Sequence, residues 1–208
     1  MQTFTLLITF MLLFISPPFL PFSTAAKTPQ DLLRSSCAQA RYPTLCVQTL
    51  TNQVTLTTKP LDLAQAAVKA SLTRTLTLSV YLKNTLKSQV KPAVESTTSN
   101  RKRVALNDCV AQITDSVSEL NQTLNELKHL HMGTFEWQIS NAQTWASTAI
   151  TNGNLCVNGL NRKGAEEKVK MEVKRRVKDV SMFTSNALYF ISRLGESRNP
   201  KPHSNSKN

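Results

Sequence analysis

Residues 105–130, ALNDCVAQITDSVSELNQTLNELKHL, decide how the rest of this chain is read. Apolar side chains fall at Leu106, Val110, Ile113, Val117, Leu120, Leu124 and Leu127, in alternating steps of four and three. That rhythm places one narrow apolar stripe along a long helix. Asp108, Gln112, Asp115, Glu119, Gln122 and Glu126 fall on the other side, where solvent is expected. A stripe this narrow needs partner helices to cover it, as in a bundle. Cys109 sits beside the stripe and ties this helix to another part of the chain.

Those partners are legible on both sides. Pro60 opens PLDLAQAAVKASLTRTLTLSVYLKNTLK, which runs without Gly or Pro until Pro92. Leu63, Ala67 and Ala70 begin one stripe there, and Leu72, Leu76, Val80 and Leu82 follow another, so a bent or doubly buried helix is expected. Its threonines are mediocre helix formers, which leaves stability to tertiary packing. The polar stretch Lys91–Asn100 reads as a linker whose final Ser-Asn caps the central helix. After that helix, His131 to Thr134 reads as a turn, with Thr134 as the next cap. Phe135, Ile139, Ala142, Ala146 and Ala149 line one face of a further helix, which Gly153 is expected to stop. Trp137 and Trp145 on it read as packing residues rather than a sugar platform. The last helix keeps Val169, Val173, Val177, Val180, Thr184, Ala187, Ile191 and Leu194 in register, and Gly195 reads as its end.

At the other end of the chain, residues 4–15 (FTLLITFMLLFI) are almost wholly apolar, and Pro17, Pro18, Pro21 and the small residues 23–26 follow. The pattern is that of a secretory signal peptide cleaved after Ala26. The run is shorter than the roughly 20 residues a bilayer span needs. In an oxidising compartment, four cysteines point to two disulfides. Three pairings are possible. Cys37–Cys46 with Cys109–Cys156 is favoured, because one closes a local loop and the other joins consecutive helices. In the chain-entropy view these bridges contribute roughly 2.7 and roughly 4 kcal/mol. Residues 27–57 then form a stapled helical hairpin, broken at Tyr42-Pro43 and set apart from the bundle. The domain plan is residues 1–26 as leader, 27–195 as the bundle domain and 196–208 as a disordered tail.

Chemistry is scarce. The cysteine spacings contain no C-x-x-C pair, and His129 and His131 point to different helix faces, so no metal site or cofactor is expected. No phosphate loop, nucleophile elbow or zinc-protease motif occurs, and the carboxylates lie along exposed faces, which argues against an enzyme. The formal charge of +12 suggests an acidic polysaccharide or anionic surface as partner, not nucleic acid, given the leader. Asn121-Gln122-Thr123 is the single glycosylation sequon.

Taken together, Cys-x8-Cys with RYPTLC, the central helix above, SNAQTWASTAITNGNLC and TSNALYFISRL resemble the plant invertase and pectin methylesterase inhibitor family. The resemblance runs from Cys37 to Leu194 in the family's order. It implies a secreted, non-catalytic, all-α protein, an antiparallel four-helix bundle with an N-terminal disulfide-stapled helical hairpin. It also implies the pairing 37–46 and 109–156, and a bundle that covers the active-site cleft of a target enzyme one-to-one in the plant cell wall. The central stretches look closer to the pectin methylesterase branch; VNGLNRKG follows Cys156 where invertase inhibitors carry Pro-Lys-Phe. Nothing follows Asn208, so a free inhibitor is expected and not the pro-region of a fused esterase. Two departures stand out: Ile113 where an aromatic is common, and the basic run Arg162–Lys178. By the family's binding mode, the expected contacts are Gln112, Asp115, Glu119 and Gln122, with Thr73 and Thr77 on the preceding helix. Pectin methylesterase is the expected partner, with acid invertase and acidic pectin as alternatives.

Overall fold

The computed structural model describes residues 28–89, 97–162 and 165–198. The leader, most of the proposed linker, His203 and the tail from residue 199 lie outside the described residues. Among the described residues there are six α-helices and no strand: α1 Pro29–Cys37, α2 Pro43–Leu50, α3 Pro60–Gln89, α4 Thr97–Lys128, α5 Phe135–Arg162 and α6 Glu167–Arg198. A single 3-10 turn, Thr51–Gln53, follows α2. The four long helices pack in a ring, α3 on α4, α4 on α5, α5 on α6 and α6 back on α3, so α3 and α5 flank α4 on opposite sides. Both expected disulfides are formed, Cys37–Cys46 and Cys109–Cys156.

Local sequence explains the helix starts. Thr28 and Asp31 cap α1 reciprocally, and Pro29 occupies the first turn where its missing N–H costs nothing. Lys59 N–H donates to Asp62 Oδ2 at 2.8 Å at the start of α3. Several expected ends are corrected. Thr97–Asn100 belong to α4, so Ser99 and Asn100 form its first turn and do not cap it from outside. Thr134 donates its hydroxyl to Gln138 Oε1 at 3.1 Å instead of accepting a backbone N–H as a cap would. Gly153 does not stop α5, which continues through Cys156 to Arg162. Gly195 likewise lies inside α6, and Glu196 to Arg198 are helical rather than part of a disordered tail. Glycine at 153 answers to packing: a Cβ there would stand 3.0 Å from Val177 Cγ1.

The interior falls into two apolar clusters. One gathers Leu63, Val68, Leu124, Leu127, Ile139, Phe190 and Ile191 with Leu33, Cys37, Cys46 and Leu50 of the hairpin. The hairpin is therefore seated on the bundle's core and is not set apart from it. The other gathers Leu78, Leu82, Leu106, Ile113, Leu160, Val173 and Val177 around Cys109 and Cys156. Each large aliphatic side chain buried this way stabilises by about 1.5–3 kcal/mol.

Buried hydroxyls complete the packing between these clusters. Ser71 and Thr184 share a 2.6 Å hydrogen bond between α3 and α6, and Thr184 also donates to Val180 O. Ser116 donates to Gln112 O and, across the interface, to Ala149 O at 3.2 Å. Hydroxyls at Ser71, Thr75 and Ser79 take core positions in α3. This turns the expected Leu76 and Val80 stripe outward: Leu76 is 46 % and Val80 59 % exposed.

Asn186 of α6, itself buried, holds the hairpin down. Its Oδ1 accepts Tyr42 N–H and its Nδ2 donates to Tyr42 O, each at 3.0 Å. The clamp sits at the residue before Pro43, where the chain cannot continue a helix.

Two outcomes follow for stability. Asn186→Ala removes both bonds and leaves a partly buried amide unsatisfied, a loss of about 2 kcal/mol, read as a lower denaturation midpoint and faster proteolysis between α1 and α2. Gly153→Val forces Val177 aside and is expected to lower the melting temperature by about 4–8 °C. Gly159→Ala, in the same helix with nothing near its Cβ, raises it by about 2–4 °C. Shifts of equal sign would contradict the packing account of Gly153.

Candidate docking surface

Helical phase sets Gln112, Asp115, Glu119 and Gln122 on one outer stripe of α4, in steps of three, four and three. Asp115 and Gln122 are exposed; Gln112 and Glu119 are half-buried. The stripe leans toward α5. Gln122, with Asn121, Asn125, Glu126 and Trp145, lines a shallow groove of about 450 Å³. Gln112 and Asp108 line a second groove, of about 270 Å³, with Leu155, Gly159 and Arg162 of α5. Glu126 does not stay wet as expected: it is half-buried and accepts from Gln138 Nε2 at 3.0 Å and Asn141 Nδ2 at 3.1 Å.

Between the grooves, Glu119 is the least comfortable group of the stripe. Its Oε2 is buried and has no hydrogen-bond partner among the described residues. Burial pushes its carboxyl above the ordinary carboxylate range, and the charge of Asp115 one turn earlier adds to the rise. A donor from a docking partner would satisfy the buried oxygen.

Thr73 and Thr77 do not join this stripe. Both are exposed on α3, on the other flank of α4, and donate their hydroxyls to Lys69 O and Thr73 O. A partner that straddles α4 meets both sets; a partner confined to the α4–α5 flank meets only the first. Trp145 is half-buried at its groove, whereas Trp137 is 71 % exposed and does not serve as a packing residue. The sequon asparagine, Asn121, is exposed beside Gln122 and gives its amide to Val117 O. Thr123 of the sequon is buried.

Gln138 is the functional support that sequence reasoning missed. It accepts from the His131 N–H at 2.8 Å and the Thr134 hydroxyl, and donates to His129 O at 2.7 Å and to Glu126. One side chain thereby closes the α4–α5 turn and fixes how the two helices present their grooves. A polar residue directly before Ile139 on the buried face was the available signal.

No cluster of His, Cys, Asp and Glu that could hold a metal occurs among the described residues, and no helix among them is long and apolar enough to cross a membrane. The surface offers hydrogen bonds and shape. The sequence pattern of plant invertase/pectin methylesterase inhibitors matches residues 31–190. The chain belongs to that family. The family is one of enzyme inhibitors, and this chain belongs with the inhibitors and is not itself an enzyme.

Among similar proteins, Pectinesterase inhibitor 3 of Arabidopsis thaliana is 42 % identical over 181 residues, covering 84 % of this chain and 83 % of the relative. The 21 kDa protein of Daucus carota is 30 % identical, with 82 % and 86 % covered. A crystal structure of a mutant form of a pectin methylesterase inhibitor from Arabidopsis superposes with a TM-score of 0.57 at 14 % identity, covering 80 % of this chain and 97 % of that chain. This last likeness speaks for the shared fold.

The raised Glu119 carboxyl carries a sign. An acid whose folded pKa lies above its unfolded one weighs against folding when ionised, and the penalty fades as pH falls through the ordinary carboxylate range. Glu119→Gln is therefore expected to melt higher than the wild type at neutral pH, with the gap closing toward acidic pH. Melting scans from pH 7 downward check this; a variant that melts lower at pH 7 would refute it.

Proposed function

We propose that this protein inhibits a pectin methylesterase by laying the outer face of α4, with its flanks, over the enzyme's active-site cleft in a one-to-one complex. The observation that carries the reading is the 42 % identity to a relative named a pectinesterase inhibitor, across most of both chains. The solvent stripe of Gln112, Asp115, Glu119 and Gln122 gives the complex a rigid polar face, because the Cys109–Cys156 bridge locks α4 to α5 behind it. Thr73 and Thr77 extend the contact over α3 where the enzyme straddles α4. A preformed helical face loses little conformational freedom on docking, which favours affinity.

In this reading residues 1–26 are a leader that directs the protein to the extracellular space of the plant cell wall, where pectin is de-esterified. Asn121 carries glycan only if the enzyme contact leaves its side of the stripe free, since it adjoins Gln122. Acid invertase is the sister target.

The test mixes purified, oxidised protein with a pectin methylesterase and, separately, with an acid invertase, and reads released methanol and released glucose at mildly acidic pH. Loss of methanol release alone is expected. Asp115→Ala is expected to weaken that inhibition about tenfold, as for a contact residue contributing about 1.4 kcal/mol. Inhibition unchanged in the variant would remove the α4 stripe from the contact, and loss of glucose release alone would move the target to invertase.

A further inference from the structure

Charge divides sharply along the bundle. In the half built on the Cys109–Cys156 cluster, residues 78–89, 97–113, 152–162 and 165–180, lysines and arginines outnumber acids twelve to five. Elsewhere among the described residues they stand eight to seven. The densest part is the first half of α6, where Lys168, Lys170, Lys174, Arg175, Arg176 and Lys178 fall within eleven residues.

Internal pairing accounts for only part of this set. Glu172 accepts from Arg175 at 2.7 and 2.9 Å and from Arg176 at 2.7 Å, and Arg176 is further held 4.4 Å over the Tyr81 ring. Those two guanidiniums hold the Glu172 carboxyl at about 2. Lys170 reaches Glu167 at 3.4 Å. Lys168, Lys174 and Lys178 are exposed and have no ion pair among the described residues. They spread over roughly 15 Å of helix.

Helix energetics argue against these positions. Lys168 and Lys170 lie in the first turn of α6, where the helix dipole disfavours cations. Lys170 with Lys174, and Lys174 with Lys178, are like charges one turn apart, which destabilises the helix slightly. Solvation alone would be served as well by mixed charges, so the excess calls for an anion.

We propose that this lysine face of α6 binds de-esterified pectin, a polygalacturonate chain with one carboxylate on each sugar. The choice of polymer rests on the function proposed above, since hydrolysis of pectin's methyl esters leaves carboxylates. The face lies on α6, which packs chiefly on α3 and α5, so the α4 stripe stays free for the enzyme while the polymer is held. An anionic lipid surface is the less suited partner. A helix that lies in a membrane interface needs a free apolar face, and Val173, Val177 and Val180 are buried in the core, leaving Met171 as the one exposed apolar residue of α6.

The experiment measures binding of the purified, oxidised protein to immobilised polygalacturonate, to highly methyl-esterified pectin and to phosphatidylserine vesicles. Binding to polygalacturonate is expected to be at least about tenfold tighter than to the esterified polymer and to weaken at least about tenfold between about 0.05 and about 0.5 M salt. The triple variant Lys168→Gln, Lys174→Gln, Lys178→Gln is expected to lose about tenfold in that affinity. Its helical circular dichroism and its effect on methanol release should match the wild type. Equal binding to both polymers, wild-type affinity in a folded triple variant, or capture by the vesicles alone would each overturn the proposal. A wild type that binds polygalacturonate but spares the methylesterase would refute the inhibitor reading and leave this site standing.

Discussion

How closely α4 and α5 approach governs everything else in this bundle. Ala105, Cys109, Ser116 and Thr123 on α4 are all buried, as are Ala142, Ala146, Ala149, Gly153 and Cys156 on α5. With only small side chains between them, the two backbones come near enough for Cys109 and Cys156 to bridge at a Cα separation of 4.3 Å. The same closeness lets Ser116 and Thr123 give their hydroxyls to carbonyls of the opposite helix, at 3.2 and 3.5 Å. A large side chain in that column would part the helices, break those bonds and open the grooves that flank the outer stripe. The polar face of α4 is thus an indirect product of alanine, serine and glycine on the face behind it.

Each half of the molecule has its own apolar cluster and its own covalent staple. Cys37–Cys46 lies in the cluster that joins the hairpin to the bundle, and Cys109–Cys156 in the other. Surface character follows the same division. Cations crowd the half away from the hairpin, while Asp115, Glu119 and Glu126 belong to the half that carries most of the α4 stripe.

Much of this was legible in the sequence, because long helices announce themselves by period. The α6 ladder from Val173 to Leu194 is buried as its spacing demanded, and the cysteine spacings led to the correct pairs. What failed were local rules that tertiary packing overrides. Gly153 and Gly195 looked like terminators, yet each sits inside a helix where a Cβ would crowd a neighbour, Val177 or Ile139. Leu76 and Val80 looked like core because hydropathy outranks hydroxyl; Ser71 is inside instead, since α6 offers Thr184 as a partner, and Thr75 is inside with its hydroxyl returned to Ser71 O. Of the expected contact positions on α4, Asp115 and Gln122 are exposed and Gln112 and Glu119 half-buried. That Thr73 and Thr77 lie across α4 from the others needed the order of helices around the ring, which no single-helix pattern contains.

The polar interior of this protein is made of alcohols and amides, not of acids or bases. Ser71, Thr75, Ser116, Thr123 and Thr184, with Asn186 at the hairpin, hold helix against helix by groups that neither gain nor lose a proton in water at ordinary acidity. Sliding α6 by one turn would take Thr184 away from the buried Ser71 hydroxyl, so the register is fixed by a bond blind to acidification. Among the described residues, the groups that respond to protons are exposed or half-buried, as Glu119 and Glu126 are. A fall in pH therefore retunes the surface while the hydroxyl bonds that set the helix register stay as they are.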